Sequence, residues 1–161
     1  MRTFQRDARR PAKILLVEDN ALNADMLRRR LQRAGFEVVV ASDGLQAVAQ
    51  ATHGRPDLIL MDISLPEIDG WEATRLLKGD LSTAAIPVIA LTAHAMIADR
   101  ARSFEAGCQG FETKPIDFVS LLARIRALLP PGVAVTHASP PLLVRVHSRT
   151  PLPVCERAEI D

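Results

Sequence analysis

Apolar residues gather in short unbroken runs along this chain: "ILLV" at 14–17, "VVVA" at 38–41, "LILM" at 58–61 and "VIAL" at 88–91. No polar position interrupts them, which predicts strands buried on both faces rather than strands with one wet face. "GFETKP" at 110–115 reads as a shorter fifth strand that ends on Lys114. Between the runs the spacing changes to that of helices. Leu22, Met26, Leu27 and Leu31 form one stripe, stopped by Gly35. Leu45 and Val48 mark a short helix over 44–51, and "GWEATRLLKG" is a helix closed by Gly79, with Trp71 as half-buried packing. Ile97, Ala101 and Phe104 give a thin stripe stopped by Gly107. Phe118, Leu121, Leu122, Ile125 and Leu128 line a last helix that Pro130 and Pro131 terminate.

Strand and helix therefore alternate five times, and strands of this kind need helices on both sides. The expected fold is α/β, a doubly wound five-stranded parallel sheet with right-handed crossovers. Residues 12–130 form this domain. Residues 1–11 are polar and Arg-rich and read as a loose basic tail. Residues 131–161 are Pro-rich without a helical stripe and read as a mostly disordered tail.

In an open parallel sheet the C-terminal ends of all strands share one edge, where ligands bind. Here the first strand delivers Glu18 and Asp19 to that edge, the third Asp62, the fourth Thr92 and the fifth Lys114. A buried, unpaired carboxylate is expensive, so Asp62 needs a neutralising partner. Carboxylates crowded together repel and tend to reprotonate, which a hard divalent cation relieves, and Mg²⁺ suits one or two carboxylates with phosphate oxygens. Lys114 adds a mobile positive charge. Such a set leaves one carboxylate able to attack a phosphoryl group.

Composition narrows the field. A formal net charge of +1 gives no whole-chain case for nucleic acid or anionic membrane. Cys108 and Cys155 are too few and too far apart for a disulfide framework or metal cluster, and His53, His137 and His147 show no ligand spacing. No apolar stretch reaches the roughly 18 residues that span a bilayer. The basic N-terminus lacks a secretory core. A cytoplasmic protein is expected.

"VEDN", "LILMDISLPEIDG", "IALTA" and "KPID" together resemble the receiver domain of two-component response regulators, the CheY-like family, over about residues 12–130. Stand-alone receivers of the cell-cycle type are the more particular resemblance. The resemblance implies strand order 2-1-3-4-5 and a cis Lys114–Pro115 bond. It makes Asp62 the phosphoacceptor, served by a histidine kinase or histidine phosphotransfer protein. Mg²⁺ would be held by Asp19 and Asp62, with Glu18 and the Ser64 carbonyl. Thr92 and Lys114 would contact the phosphoryl oxygens, and Phe111 would be the aromatic ring that swings inward on activation. Arg28 and Arg33 would dock the donor, and the fourth helix, fifth strand and fifth helix would bind an unknown downstream protein. Homodimerisation on phosphorylation is a further expectation. Catalysis would be limited to self-phosphotransfer and autodephosphorylation.

Plainer readings stand beside these. Asp19 and Asn20 could only cap a helix, Thr92 could only satisfy backbone, Phe111 could only be core, and the arginines could only be a solvated face. His94 could tune dephosphorylation or simply face solvent. A receiver-fold interaction module that is never phosphorylated is the main alternative, disfavoured by the intact acidic set. An aspartyl phosphatase would carry a second Asp two residues on, where this chain has Ser64. No Gly-rich phosphate loop follows the first strand, and no helix-turn-helix follows the domain.

Overall fold

The computed structural model describes residues 10–94, 96–131 and 133. The strands are β1 (Lys13–Val17), β2 (Glu37–Ala41), β3 (Leu58–Asp62), β4 (Val88–Thr92) and β5 (Gly110–Thr113). They alternate with helices α1 (Ala21–Arg33), α2 (Gly44–Gly54), α3 (Gly70–Gly79), α4 (Ile97–Ala106) and α5 (Phe118–Leu128). All strand pairs are parallel, in the order β2-β1-β3-β4-β5. The expected doubly wound sheet is thus the observed one, and Lys114–Pro115 is cis.

Period-two geometry explains why the strands are apolar throughout. Ile14, Leu16, Leu58, Leu60, Ile89 and Leu91 point to one face, where Leu31 of α1 and Leu121 and Ile125 of α5 cover them. Leu15, Val17, Ile59, Met61, Val88 and Ala90 point to the other, under Ala47 and Ala51 of α2 and Ala73 and Leu77 of α3. Each fully buried Leu or Ile contributes about 1.5–3 kcal/mol. Those two layers fix the strands, and the strands fix the edge at which the polar groups meet.

Three expected helical stripes face elsewhere. In α1 the inward residues are Ala24, Leu27 and Leu31, while Leu22 and Met26 are 77% and 65% exposed. In α2 Ala47 and Ala51 meet the sheet, Val48 is half-buried and Leu45 is exposed. In α4 the inward residues are Ser103 and Ala106, and Ile97 and Phe104 are 86% and 56% exposed. Small residues let a helix press close to a sheet, and they carry little weight in a hydrophobicity pattern.

The N-terminal boundary also shifts. Arg10, expected in a loose tail, places Nη2 3.1 Å from both carboxylate oxygens of Asp57, and Ala12 is fully buried. Residues 1–9 and 134–161, to which most of the tail expectations apply, lie outside the described residues.

Candidate functional site

β1 ends at Val17, and the Glu18 N–H donates to Ala41 O of the neighbouring strand at 3.0 Å, which fixes where the acidic pair leaves the sheet. Asn20, not Asp19, caps α1 by accepting from the N–H groups of Leu22 and Asn23. The cap reading of Asp19 is therefore set aside, and its carboxylate stands exposed beside two buried ones. Glu18 accepts from Asn20 N–H at 3.2 Å through Oε1.

Asp62 is the last residue of β3 and only 2% exposed. Its Oδ1 accepts from Ser64 N–H at 3.0 Å and its Oδ2 from Lys114 Nζ at 3.0 Å. The same ammonium donates to Glu18 Oε2, also at 3.0 Å. Carboxylate oxygens of Glu18, Asp19 and Asp62 all lie within 4.8 Å of one another. Burial pushes the Glu18 carboxyl above the ordinary range, and the Asp62 charge pushes the same way, against the Lys114 hydrogen bond. Burial alone would lower Lys114, but its hydrogen bonds to Glu18 and Asp62 outweigh that and hold it above its usual value. One ammonium thus pairs with two carboxylates, and a third stands beside them. The surplus of negative charge and the all-oxygen donor set fit a hard divalent cation.

The backbone around Asp62 is held from behind by α3. Gly70 N–H donates to Ile63 O at 3.1 Å, and a Cβ at Gly70 would sit 2.3 Å from Asp62 O. Only glycine lets α3 begin this close to the strand end. Asp69 before it caps α3, its side chain accepting from the Glu72 N–H at 2.8 Å.

Thr92 ends β4 and is buried at 3% exposure, and Lys114 N–H reaches its carbonyl at 2.7 Å. Its hydroxyl is engaged within its own loop, accepting from His94 N–H at 3.1 Å and lying 3.3 Å from His94 O. His94 is exposed. Phe111 packs among core residues, with the Arg100 guanidinium 5.7 Å from the ring centroid. The inward position expected after activation is therefore already the buried one here. Ser64 is exposed and reaches the site through its N–H.

The two arginines expected to dock a donor, Arg28 and Arg33, both lie on α1. Arg28 pairs with Asp25 on the same helix, which holds the Asp25 carboxyl below its usual range, and Arg33 is exposed. Closer to Lys114, a cleft of about 380 Å³ is lined by Asn23, Met26, Leu27, Arg30, Pro115 and Ile116. That cleft was not expected from sequence, because it joins residues some 90 positions apart.

Comparison with known proteins agrees with this geometry. The family model described as the response regulator receiver domain matches residues 14–126. The polar-differentiation response regulator DivK of Brucella anthropi is 42% identical over 119 residues, spanning 74% of this chain and 97% of DivK. Among solved structures, the chemotaxis protein CheY4 of Vibrio cholerae superposes with a TM-score of 0.70 at 29% identity, over 74% of this chain and 99% of that one. The receiver domain of sensor histidine kinase PA1611 from Pseudomonas aeruginosa, with a magnesium ion coordinated in its active-site cleft, gives a TM-score of 0.69 at 37% identity over 73% and 97%. The ordered sheet, the acidic cluster at its C-terminal edge and these likenesses lead to one assignment: the chain belongs to the response regulator receiver domain family of two-component signalling.

Proposed function

We propose that this protein is a phosphorelay receiver whose Asp62 accepts a phosphoryl group from a phosphohistidine on a histidine kinase or histidine phosphotransfer protein. The observation that carries the reading is the meeting of Glu18, Asp19 and Asp62 oxygens within 4.8 Å of one another, with the Lys114 ammonium bonded to Glu18 and Asp62. In the transfer, an Asp62 oxygen forms the new O–P bond. The N–P bond of the donor breaks, and its electron pair stays on the imidazole nitrogen. Lys114 moves from the carboxylates to the phosphoryl oxygens, and the Thr92 hydroxyl leaves His94 to donate to one of them. Asp19, Asp62 and Glu18 would hold Mg²⁺ with the Ser64 carbonyl. When bound, Mg²⁺ offsets the charge on the phosphoryl oxygens. Water later displaces the carboxylate from phosphorus and releases inorganic phosphate, so the chemistry is self-phosphotransfer and autodephosphorylation.

The donor would dock over α1. The exposed Leu22 and Met26 beside the Met26–Ile116 cleft are better placed for this than Arg28, which Asp25 occupies. Phosphorylation adds about −1.5 to −2 charges at Asp62 and biases a pre-existing two-state equilibrium. The outward side chains of Met96, Ile97 and Phe104 offer the downstream partner an apolar surface on the α4–β5–α5 face. The same reading carries a cytoplasmic site of action, and no described helix is long and apolar enough to cross a membrane. Incubation with acetyl phosphate and Mg²⁺ tests the proposal. It predicts one acid-labile phosphate per chain, and a folded wild-type protein that takes none would overturn it.

A further inference from the structure

α4 differs from the other four helices at its N-terminus. Side-chain oxygens of Asn20, Asp43, Asp69 and Asp117 cap α1, α2, α3 and α5, whereas Met96 at the start of α4 makes no side-chain cap. Capping of that kind is worth about 1 kcal/mol per helix. The inner face of α4 is small and partly polar, and its large apolar residues point outward.

What holds α4 is a link to α3. The Trp71 indole Nε1–H donates to Ser103 Oγ at 3.2 Å, and the Ser103 hydroxyl, fully buried, donates to Asp99 O at 2.9 Å in the first turn of α4. The Arg102 guanidinium lies 3.9 Å above the indole. Trp71 follows Gly70, whose backbone is pressed against Asp62 O. Met96, at the start of α4, is four positions beyond Thr92, whose hydroxyl is turned to His94. The link therefore joins the segment behind the phosphoacceptor to the segment that carries the hydroxyl.

We infer that Trp71 is a positioning residue: through Ser103 it holds α4, and with it the Thr92 hydroxyl, in the arrangement in which that hydroxyl is bonded to His94. This rests on Asp62 being the phosphoacceptor. Phosphoryl binding recruits the hydroxyl and shifts the start of α4, so it breaks the Trp71–Ser103 hydrogen bond. The link acts as a brake, favouring the unphosphorylated state by its own free energy.

The test uses beryllium fluoride with Mg²⁺ as a phosphoryl mimic, titrated by calorimetry into the full chain. Four proteins are compared: wild type, Ser103→Ala, Trp71→Phe and the double variant. Trp71→Phe keeps an aromatic ring under Arg102 and loses the N–H together with part of the indole area. Each single variant should bind the mimic about fivefold more tightly, the worth of one net hydrogen bond. The double variant should bind no more tightly than either, because both changes remove the same Trp71–Ser103 bond, and the Ser103–Asp99 bond is internal to α4. Trp71 is the only tryptophan and there is no tyrosine, so the emission reports the surroundings of this one indole. Wild-type emission should move, on saturation, toward the emission that Ser103→Ala shows without ligand. Equal affinities in all four proteins, additive gains in the double variant, or an unmoved wild-type emission at saturation would each overturn the inference. A folded wild type that binds no mimic at all overturns the phosphoacceptor reading, and the brake falls with it.

Discussion

β3 carries a buried carboxylate at each end, and the two are handled in opposite ways. Asp57, just before the strand, is met by Arg10 at 3.1 Å through both oxygens and by Lys13 N–H at 2.8 Å. Its charge is matched and its lone pairs are used, and it fastens the entering chain to the bottom of the sheet. Asp62, at the other end, shares one ammonium with Glu18 and has the Asp19 carboxylate beside it. A structural carboxylate is closed by its donors. A functional one is left with charge that only an incoming group can settle.

Exchanging the two carboxylates for amides should separate these roles most sharply. Asp62→Asn should abolish phosphoryl labelling while leaving the urea midpoint in metal-free buffer unchanged or higher, because it removes repulsion with Glu18. Asp57→Asn should do the reverse, costing about 2–3 kcal/mol by urea unfolding with labelling retained. Loss of stability in Asp62→Asn comparable with that in Asp57→Asn would erase the distinction.

Lys114→Ala comes next in size. It leaves Glu18 and Asp62 buried without a counter-charge and should cost about 2 kcal/mol without divalent metal. Millimolar Mg²⁺ should restore much of that loss, whereas it should do nothing for Asp57→Asn. A smaller effect is expected from Arg10→Ala. Its side chain is half-exposed and screened by water, so about 0.5–1 kcal/mol is at stake, shrinking as salt is added.

The smallest effect is a pH dependence. Glu18 has a folded-state pKa above the ordinary 4.5, so the folded protein keeps this proton to higher pH than the unfolded chain does. Its contribution to stability is therefore greatest below 4.5 and is lost as pH rises through the raised value. Lys114 is also raised, so its contribution persists below 10.5 and is lost only above that. Metal-free urea midpoints between these limits should fall with pH in wild type and flatten in Glu18→Gln. An equal slope in both proteins would remove Glu18 as the cause.

Much of this was legible in the sequence. Unbroken apolar strands require cover on both faces, and a parallel sheet brings strand ends to one edge, so the sequence alone groups Glu18, Asp19, Asp62, Thr92 and Lys114. The orientation of the helices was not legible. Periodicity shows that Ile97, Ala101 and Phe104 share a stripe, but not that Ser103 and Ala106, which weigh little in such a pattern, face the core. Contacts between distant positions were hidden as well. Arg10 with Asp57 and Trp71 with Ser103 lie 47 and 32 residues apart, and no spacing rule joins them.

On the proposed function, surplus charge rather than burial marks Asp62 as the phosphoacceptor. Site-localised mass spectrometry after exposure to acetyl phosphate, with Mg²⁺ or with chelator, tests it most directly. One phosphoryl group on Asp62, present with Mg²⁺ and absent in chelator, is the predicted result. Labelling at Asp57 or any other carboxylate, or labelling of Asp62 that ignores the metal, would contradict it.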